Sequence, residues 1–177
     1  MTTEQYRILK QKAATEGFIT GLLWLLSFAL FVGQFAMPVL SFLGMAVAVV
    51  SAVLVITRLR QWCNVNAVDS LSFWKAFSYA FSVYLYASLI MAFGQWIYFQ
   101  FVDNGYLIGQ YVERLNSDEF KAIMKGVEGF NPDEIKPVID QIAELRPIDI
   151  ALQFLSSDLV ISFFLSFFTA LCSFKRK

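Results

Sequence analysis

An aspartate interrupts the last long apolar stretch of this sequence and is the one charged residue within it. Polar residues follow it at intervals of four, four, three and four positions, which places all of them on one face of a helix. These residues are Asp158, Ser162, Ser166, Thr169 and Ser173. Because burying a charge in lipid is costly, an ionisable residue in such a stretch is a candidate functional group. The spacing therefore predicts a polar helix face on which Asp158 is the titratable group.

The preceding apolar stretch carries a second polar face, whose members are separated by four, seven and three positions: Tyr84, Ser88, Gln95 and Tyr98. Gln95 lies six residues before Phe101, close to the predicted end of its helix. Asp158 lies six residues after Leu152, close to the predicted start of the next span. Antiparallel helices would bring both side chains to similar depths, so we expect Gln95 to lie beside Asp158. The term polar seam is used below for Tyr84, Ser88, Gln95, Asp158, Ser162, Ser166 and Thr169.

The polar seam has two interpretations. In the functional one, it is a partly hydrated path or pocket for an ion, a proton or a lipid headgroup. In the structural one, its hydroxyl and amide groups only join neighbouring helices, each contributing about 1 kcal/mol or less. Asp158 would then stay hydrated, because at 1.5 Å per residue it lies only about 9 Å below the predicted start of its span. The sequence leaves both interpretations open.

Four apolar spans must position these residues. The 41 residues from Gly17 to Thr57 contain no Asp, Glu, Lys or Arg. About twenty apolar residues cross a bilayer as a helix, so this stretch is long enough to enter, turn at Pro38 and return. We predict an all-α polytopic membrane protein that forms a single membrane domain over residues 1–177. Its spans are predicted at residues 17–35, 38–57, 73–102 and 152–174.

The composition supports a membrane protein and argues against several functional classes. Hydrophobic residues make up 58% and charged residues 16% of the chain, whereas soluble domains contain about 25% charged residues. The net charge of zero gives no sign of a nucleic-acid surface. The chain has no histidine, and Cys63 and Cys172 form no CxxC pair. We therefore expect the lipid bilayer as partner, and neither catalysis, a cofactor nor a metal site.

Small residues recur at four-residue spacing in the first two predicted spans. Gly17 and Gly21 form a GxxxG pair in the first, although two glycines can also fall at this spacing by chance. The second contains Gly44, Ala48 and Ala52. Small residues let helices approach closely, so these faces are expected to contact another span or a partner, which could be a second copy or another membrane protein.

One acidic residue, Glu16, directly precedes the uncharged stretch. It could pair with Lys12 one turn earlier, or with Arg58 or Lys75 across the bundle. We expect a surface ion pair of the kind that contributes little to stability.

The segment from about residue 103 to 149 is too polar to lie in lipid, because it contains ten acidic and five basic residues. One helix is predicted from Asn116 or Ser117 to about Val127. A second is predicted from Pro132 to Leu145, where a proline follows the capping residue. We therefore expect a helical insert on the membrane surface between the third and fourth spans.

The orientation follows from basic residues in the short flanking segments, which favour the cytoplasmic side. Both termini and the connection between the second and third spans carry them, whereas the insert is net acidic. We predict that both termini are cytoplasmic and that the insert faces the opposite side. The basic residues are Arg7, Lys10, Lys12, Arg58, Arg60, Lys75, Lys175, Arg176 and Lys177.

Three features resemble a known family. They are the Ala13-Ala14 pair leading to Gly17 and Gly21, the run Ser72-Phe73-Trp74-Lys75-Ala76-Phe77, and the long polar insert before the last span. Together they are similar to a family of small four-span inner-membrane proteins of Gram-negative bacteria, catalogued as domain of unknown function 4199. The resemblance covers nearly the whole chain and brings no catalytic residues with it. It implies a bacterial inner-membrane location and an accessory role in envelope glycan or lipid assembly.

Two functional hypotheses result. The first is a non-enzymatic accessory or scaffold subunit of a membrane assembly, held together through the small-residue faces. The second is a small transporter or lipid translocator that uses the polar seam around Asp158.

Overall fold

The computed structural model describes residues 3–66, 71–117, 120, 137 and 145–174. Within these residues the chain forms five helices. They are α1 (Thr3–Gly33), α2 (Val39–Val65), α3 (Phe73–Phe101), α4 (Tyr106–Asn116) and α5 (Pro147–Ser173).

Four of these helices, α1, α2, α3 and α5, are long and apolar enough to cross a membrane. The predicted all-helical, four-span fold is therefore confirmed. The helices extend beyond the predicted spans, because α1 begins at Thr3 and α2 continues past Thr57 to Val65. The turns that α1 and α2 add beyond the predicted spans contain no proline that would end a helix. Their long basic side chains can extend toward water, so these turns can lie at the membrane surface.

The connection between α1 and α2 is the predicted turn. The carbonyl of Gly33 accepts hydrogen bonds from the backbone nitrogens of Ala36 and Met37, at 3.1 and 3.0 Å. Pro38 directly precedes α2, where its missing N–H costs no helical hydrogen bond. The first apolar stretch therefore folds as a helical hairpin.

The chain divides into two compact units: residues 1–95 with 152–177, and residues 96–151. The first unit contains α1, α2 and most of α3 and α5. Glycines on α1 allow α3 to approach closely. A Cβ built on Gly17 would lie 2.6 Å from Tyr86 Cβ, and one built on Gly21 would lie 2.9 Å from Ile90 Cβ. The core of this unit includes the fully buried side chains Leu9, Val55, Leu59, Tyr79, Val83 and Tyr84.

Hydrogen bonds bring the first turns of α1, the junction of α2 and α3, and the last turn of α5 to one end of this unit. We call it the terminus end, and the opposite end, which contains the α1–α2 turn, the turn end. The amide of Gln5 donates to the carbonyl of Asn66 at 3.3 Å, and Tyr6 Oη donates to Ser78 Oγ at 2.9 Å. The guanidinium of Arg60 donates to the carbonyl of Cys172.

In the second unit, α4 was not predicted from the sequence. Asp103 is buried, and its Oδ1 accepts a hydrogen bond from the backbone nitrogen of Leu107 at 3.0 Å, which satisfies a free N–H in the first turn. The helix ends at Asn116, where the sequence predicted a helix start. Ser117 Oγ nevertheless accepts from the backbone nitrogen of Phe120 at 3.3 Å, which is the bond expected of a capping serine.

Most of the predicted insert lies outside the described residues. This applies to the helix predicted to continue to Val127 and, apart from Pro137 and Leu145, to the one predicted from Pro132.

Candidate functional site

The polar faces of α3 and α5 meet at two pairs of side chains. Tyr84 Oη lies 3.0 Å from Thr169 Oγ1, and Ser88 Oγ lies 3.0 Å from Ser162 Oγ. All four side chains are buried. The structure therefore brings together the middle of the polar seam, and the helices run antiparallel there as expected.

The proton of Ser88 has a defined direction. Ser88 Oγ donates to the carbonyl oxygen of Tyr84, one turn earlier on α3, at 2.9 Å. A serine hydroxyl has only one proton to donate, so Ser162 must be the donor in the Ser88–Ser162 bond. Ser166, also buried, donates to the carbonyl of Ser162.

In two other seam side chains, one oxygen atom has no hydrogen-bond partner. Gln95 Oε1 and Asp158 Oδ2 are buried, and neither accepts a hydrogen bond. These two oxygens form no hydrogen bond with each other, and the expectation that Gln95 lies beside Asp158 stays a prediction. A carboxylate oxygen and an amide oxygen are both acceptors, so they cannot bond to each other unless a proton or another donor lies between them.

Both unpartnered oxygens lie on the same side of the Ser88–Ser162 contact. Gln95 is seven residues after Ser88 on α3, which runs away from the terminus end. Asp158 is four residues before Ser162 on α5, which runs toward the terminus end. Gln95 and Asp158 therefore both lie beyond that contact in the direction of the turn end.

Two carboxylates, Glu16 and Asp158, lie well inside the four long helices. They differ in whether a positively charged side chain lies beside them. Among the described residues, Asp158 forms no ion pair. Glu16, by contrast, accepts a hydrogen bond from the guanidinium of Arg58 at 2.6 Å and lies 3.8 Å from Lys12 Nζ. Glu16 is only 7% exposed. The expectation of a surface pair was therefore wrong, although both partners were among those considered.

A sequence signal for this ion pair existed. Glu16 and Arg58 directly flank the 41-residue uncharged stretch. A hairpin with its turn near the middle of that stretch must bring its two ends together. The signal was that the two residues lie at the two ends of a stretch whose turn is near its middle. The local pattern around either residue did not give it.

The small-residue faces contact other helices of the same chain. Gly17 and Gly21 pack against α3, as described above. A Cβ on Gly44 would lie 3.1 Å from the carbonyl oxygen of Ser27 on α1, and Ser27 Oγ donates to the carbonyl of Gly44 at 2.8 Å. Ala48 and Ala52, on the same helix as Gly44, are half-buried. These glycines therefore serve packing within the chain.

Trp24 connects this hairpin to the polar seam. Its indole nitrogen donates to Ser51 Oγ at 3.0 Å, and its ring stacks on Tyr84 with centroids 6.0 Å apart. The aromatic ring thus packs between helices and lies against Tyr84, beside Thr169.

In the described part of the chain, no group of three or more His, Cys, Asp or Glu residues could hold a metal ion. Cys63 is buried, Cys172 is exposed, and neither forms a disulfide.

Comparison with known proteins gives one match. A family model described as a protein of unknown function (DUF4199) matches residues 15–175. Searches of curated proteins and of solved structures found no match. The matched range includes every residue of the polar seam, as well as Glu16 and Arg58.

Proposed function

This chain belongs to the DUF4199 family of unknown function, and we propose that it is a small, non-enzymatic membrane transporter. In this proposal the polar seam binds a proton or another small hydrogen-bond donor. The observation that carries the proposal is that the buried oxygens Gln95 Oε1 and Asp158 Oδ2 accept no hydrogen bond; among the described residues, Ser173 Oγ is the one other buried side-chain atom without a partner. Each buried acceptor left without a donor costs about 1–3 kcal/mol, so a function is the economical reason for keeping them.

The chemistry of the two groups favours a donor as ligand. Both oxygens are acceptors, and a carboxylate without a counter-ion in lipid is costly. A proton bound to Asp158 neutralises the carboxylate and supplies an O–H that can be donated. Glu16 needs no such ligand, because Arg58 and Lys12 already supply positive charge.

The rest of the polar seam supports movement of the ligand along the span. Hydroxyl groups of Ser88, Ser162, Tyr84 and Thr169 continue from Asp158 toward the terminus end. Each hydroxyl can accept a hydrogen bond, and each can donate one, Ser88 only after it turns away from the Tyr84 carbonyl. A ligand that leaves Asp158 would therefore meet polar groups rather than a purely apolar helix interface.

The test is a flux measurement with the purified protein in liposomes that enclose a pH-sensitive dye. When the pH outside the liposomes is changed, the wild-type protein should transfer protons across the membrane. The Asp158→Asn variant should lower the rate of proton transfer to that of protein-free liposomes. Asp149→Asn is the matched control, since Asp149 is on the same helix but pairs with Arg146 outside the seam. The control should retain the wild-type rate. Wild-type flux that persists in a well-folded Asp158→Asn protein would contradict the proposal.

The accessory or scaffold role is the second candidate, and the surface of α2 favours it. This helix is the least buried of the four long helices. A partner helix would have to contact this face, because Gly17, Gly21 and Gly44 already pack within the chain. The exposed apolar residues of α2 include Phe42, Leu43, Met45, Val49, Val50 and Val53.

Measurement of the mass of the protein in lipid nanodiscs tests this role. A stable dimer, or a defined membrane protein that copurifies, would support an assembly function connected with envelope glycan or lipid metabolism. Val49→Trp should then weaken the complex, whereas Val160→Trp on the exposed face of α5 should not. A monodisperse wild-type monomer without a partner would count against the role.

A further inference from the structure

Two cations converge on Glu16, although its carboxylate carries only one negative charge. Lys12 Nζ lies 3.8 Å from Glu16 Oε1, and Arg58 Nη1 lies 2.6 Å from Glu16 Oε2. Each oxygen of the carboxylate therefore has its own cation, and one positive charge is left in excess. The term cation pair is used below for Lys12 on α1 and Arg58 on α2.

Both members of the cation pair are accessible from outside the bundle. The side chains of Lys12 and Arg58 are 37% and 36% exposed, whereas that of Glu16 is 9% exposed. Among the described residues, Arg58 bonds to Glu16 through Nη1, one of its three guanidinium nitrogens. Lys12 Nζ, at 3.8 Å, is too distant for a direct hydrogen bond to Glu16. Most N–H donors of the pair therefore stay available to an anion from outside the chain.

The cation pair lies at the boundary of the apolar core of the membrane. Glu16 and Arg58 directly flank the 41-residue stretch without charge. Lys12 is one helical turn before Glu16, or about 6 Å further from the core. The hydrocarbon core is about 30 Å thick and the whole bilayer about 40–45 Å, so each headgroup layer is roughly 5–7 Å deep. The pair therefore lies at the depth of the lipid phosphates.

Other side chains at the terminus end favour a negatively charged lipid. Arg60 donates to the uncharged carbonyl of Cys172. Neither Arg60 nor Lys75 forms an ion pair within the described residues, so both keep their positive charge. Next to Lys75, Trp74 is 72% exposed, and tryptophan is enriched at membrane interfaces. Basic residues near a membrane surface attract anionic lipids.

We propose that Lys12 and Arg58 bind the phosphate of an anionic phospholipid in the leaflet at the terminus end. The planar guanidinium of Arg58 can donate two hydrogen bonds to one phosphate, and the ammonium of Lys12 supplies a second positive charge. The bound phosphate balances the charge that Glu16 leaves in excess. This site lies apart from the polar seam and does not depend on the proposed transport function.

The occupant is a lipid because of what lies below the cation pair. Ile19 is seven residues after Lys12 and therefore on the same face of α1, and Leu54 is four residues before Arg58 on the same face of α2. Both side chains are half-buried and lie deeper in the apolar core. They provide an apolar surface for an acyl chain directly beneath a phosphate that the cation pair holds. A soluble anion would leave this surface without a contact.

The test is a lipid titration of the purified full-length protein in an uncharged detergent, followed by native mass spectrometry. Phosphatidylglycerol is the anionic probe, and phosphatidylcholine has the same phosphate but no net charge. We expect the first phosphatidylglycerol to bind more tightly than phosphatidylcholine. Lys12→Gln should weaken its binding about tenfold, because one charge-assisted contact is lost. Lys12→Arg keeps the charge and should bind as the wild-type protein does.

Lys10→Gln is the matched control. Lys10 is exposed on the same helix and, among the described residues, forms no ion pair. This variant removes the same charge and should bind phosphatidylglycerol as tightly as the wild-type protein. An equal loss of affinity in Lys10→Gln and Lys12→Gln would overturn the inference, because it would indicate a diffuse basic surface. Equal affinity for the two lipids, or displacement of the lipid by equimolar inorganic phosphate, would also overturn it.

Discussion

Glu16 and Asp158 show how the same chemical group serves different ends in one bundle. Glu16 is buried beside two partly exposed cations, one of which bonds to it directly at 2.6 Å. Asp158 is partly buried and, among the described residues, forms no ion pair. A carboxylate with its counter-ion provided is suited to holding helices together. One without a counter-ion is suited to binding something that arrives from outside.

At the residue scale, Glu16→Gln should destabilise the bundle. The substitution keeps the size of the side chain but leaves Arg58 without its counter-charge. We expect a loss of about 1–3 kcal/mol, because hydrogen bonds to charged groups are in this range and the partial exposure of Arg58 limits the effect. Denaturant or thermal unfolding in detergent micelles measures it.

The control for this prediction is Glu4→Gln, an exposed acidic residue on the same helix. It should change stability by less than about 0.5 kcal/mol. Equal stability of the two variants would show that the Glu16–Arg58 pair does not stabilise the fold.

Spacing alone predicted the members of the polar seam, because side chains four and three positions apart must share a helix face. Spacing did not predict which members would pair. Tyr84 meets Thr169 and Ser88 meets Ser162, but Gln95 Oε1 has no partner. The depth argument that placed Gln95 beside Asp158 fixed only a level along the helices, and a hydrogen bond also needs the donor of one side chain, here the Gln95 amide N–H, to face the acceptor of the other.

At the element scale, close packing of α1 on α3 depends on two glycines. The GxxxG spacing predicted a close approach, but it could not identify the neighbouring helix. The structure shows that Gly17 and Gly21 face α3, while Gly44 on α2 faces α1. The sequence analysis missed helix α4 for a different reason. The hydrogen bond to a backbone N–H of its first turn comes from Asp103, which two turn residues separate from the helix, and not from a residue directly before it.

Gly17→Ala tests the helix contact. The new Cβ would lie 2.6 Å from Tyr86 Cβ and 2.8 Å from the carbonyl oxygen of Val83, and backbone cannot move aside locally. The helices must shift apart, and we expect a loss of stability of about 1–3 kcal/mol. A shift in the unfolding midpoint in detergent measures this loss.

Gly109→Ala on α4 is the matched comparison, because nothing lies within 4 Å of the position that its new Cβ would take. Alanine is favoured over glycine in a helix by about 1 kcal/mol, so this variant should be neutral or slightly more stable. A Gly17→Ala protein as stable as Gly109→Ala would mean that α1 and α3 can separate freely.

At the scale of the whole molecule, the four long helices could be predicted from the sequence. Four long apolar stretches were sufficient, because a membrane allows few alternatives to fully hydrogen-bonded helices. The structure agrees in placing the first turns of α1 and the last turn of α5 at one end of their unit. The side of the membrane rests on the basic residues alone.

The predicted topology can be measured with single cysteines in a cysteine-free protein. In inner-membrane vesicles of known orientation, Thr3→Cys and Lys177→Cys should be labelled from the cytoplasmic face. Tyr111→Cys, on the exposed surface of α4, should be labelled from the opposite face. Labelling of Tyr111→Cys and Lys177→Cys from the same face would refute the four-span threading.

The single proton of Ser88 has a consequence for the energetics of a cell. That proton is committed to the carbonyl of Tyr84, so Ser88 has none to pass onward when Ser162 donates to it. Charge could move past this point only after the Ser88 hydroxyl rotates and gives up its bond to the carbonyl. As long as that bond is kept, the Ser88 hydroxyl relays no proton, and the proton-motive force of an energised membrane is not dissipated through this point of the seam.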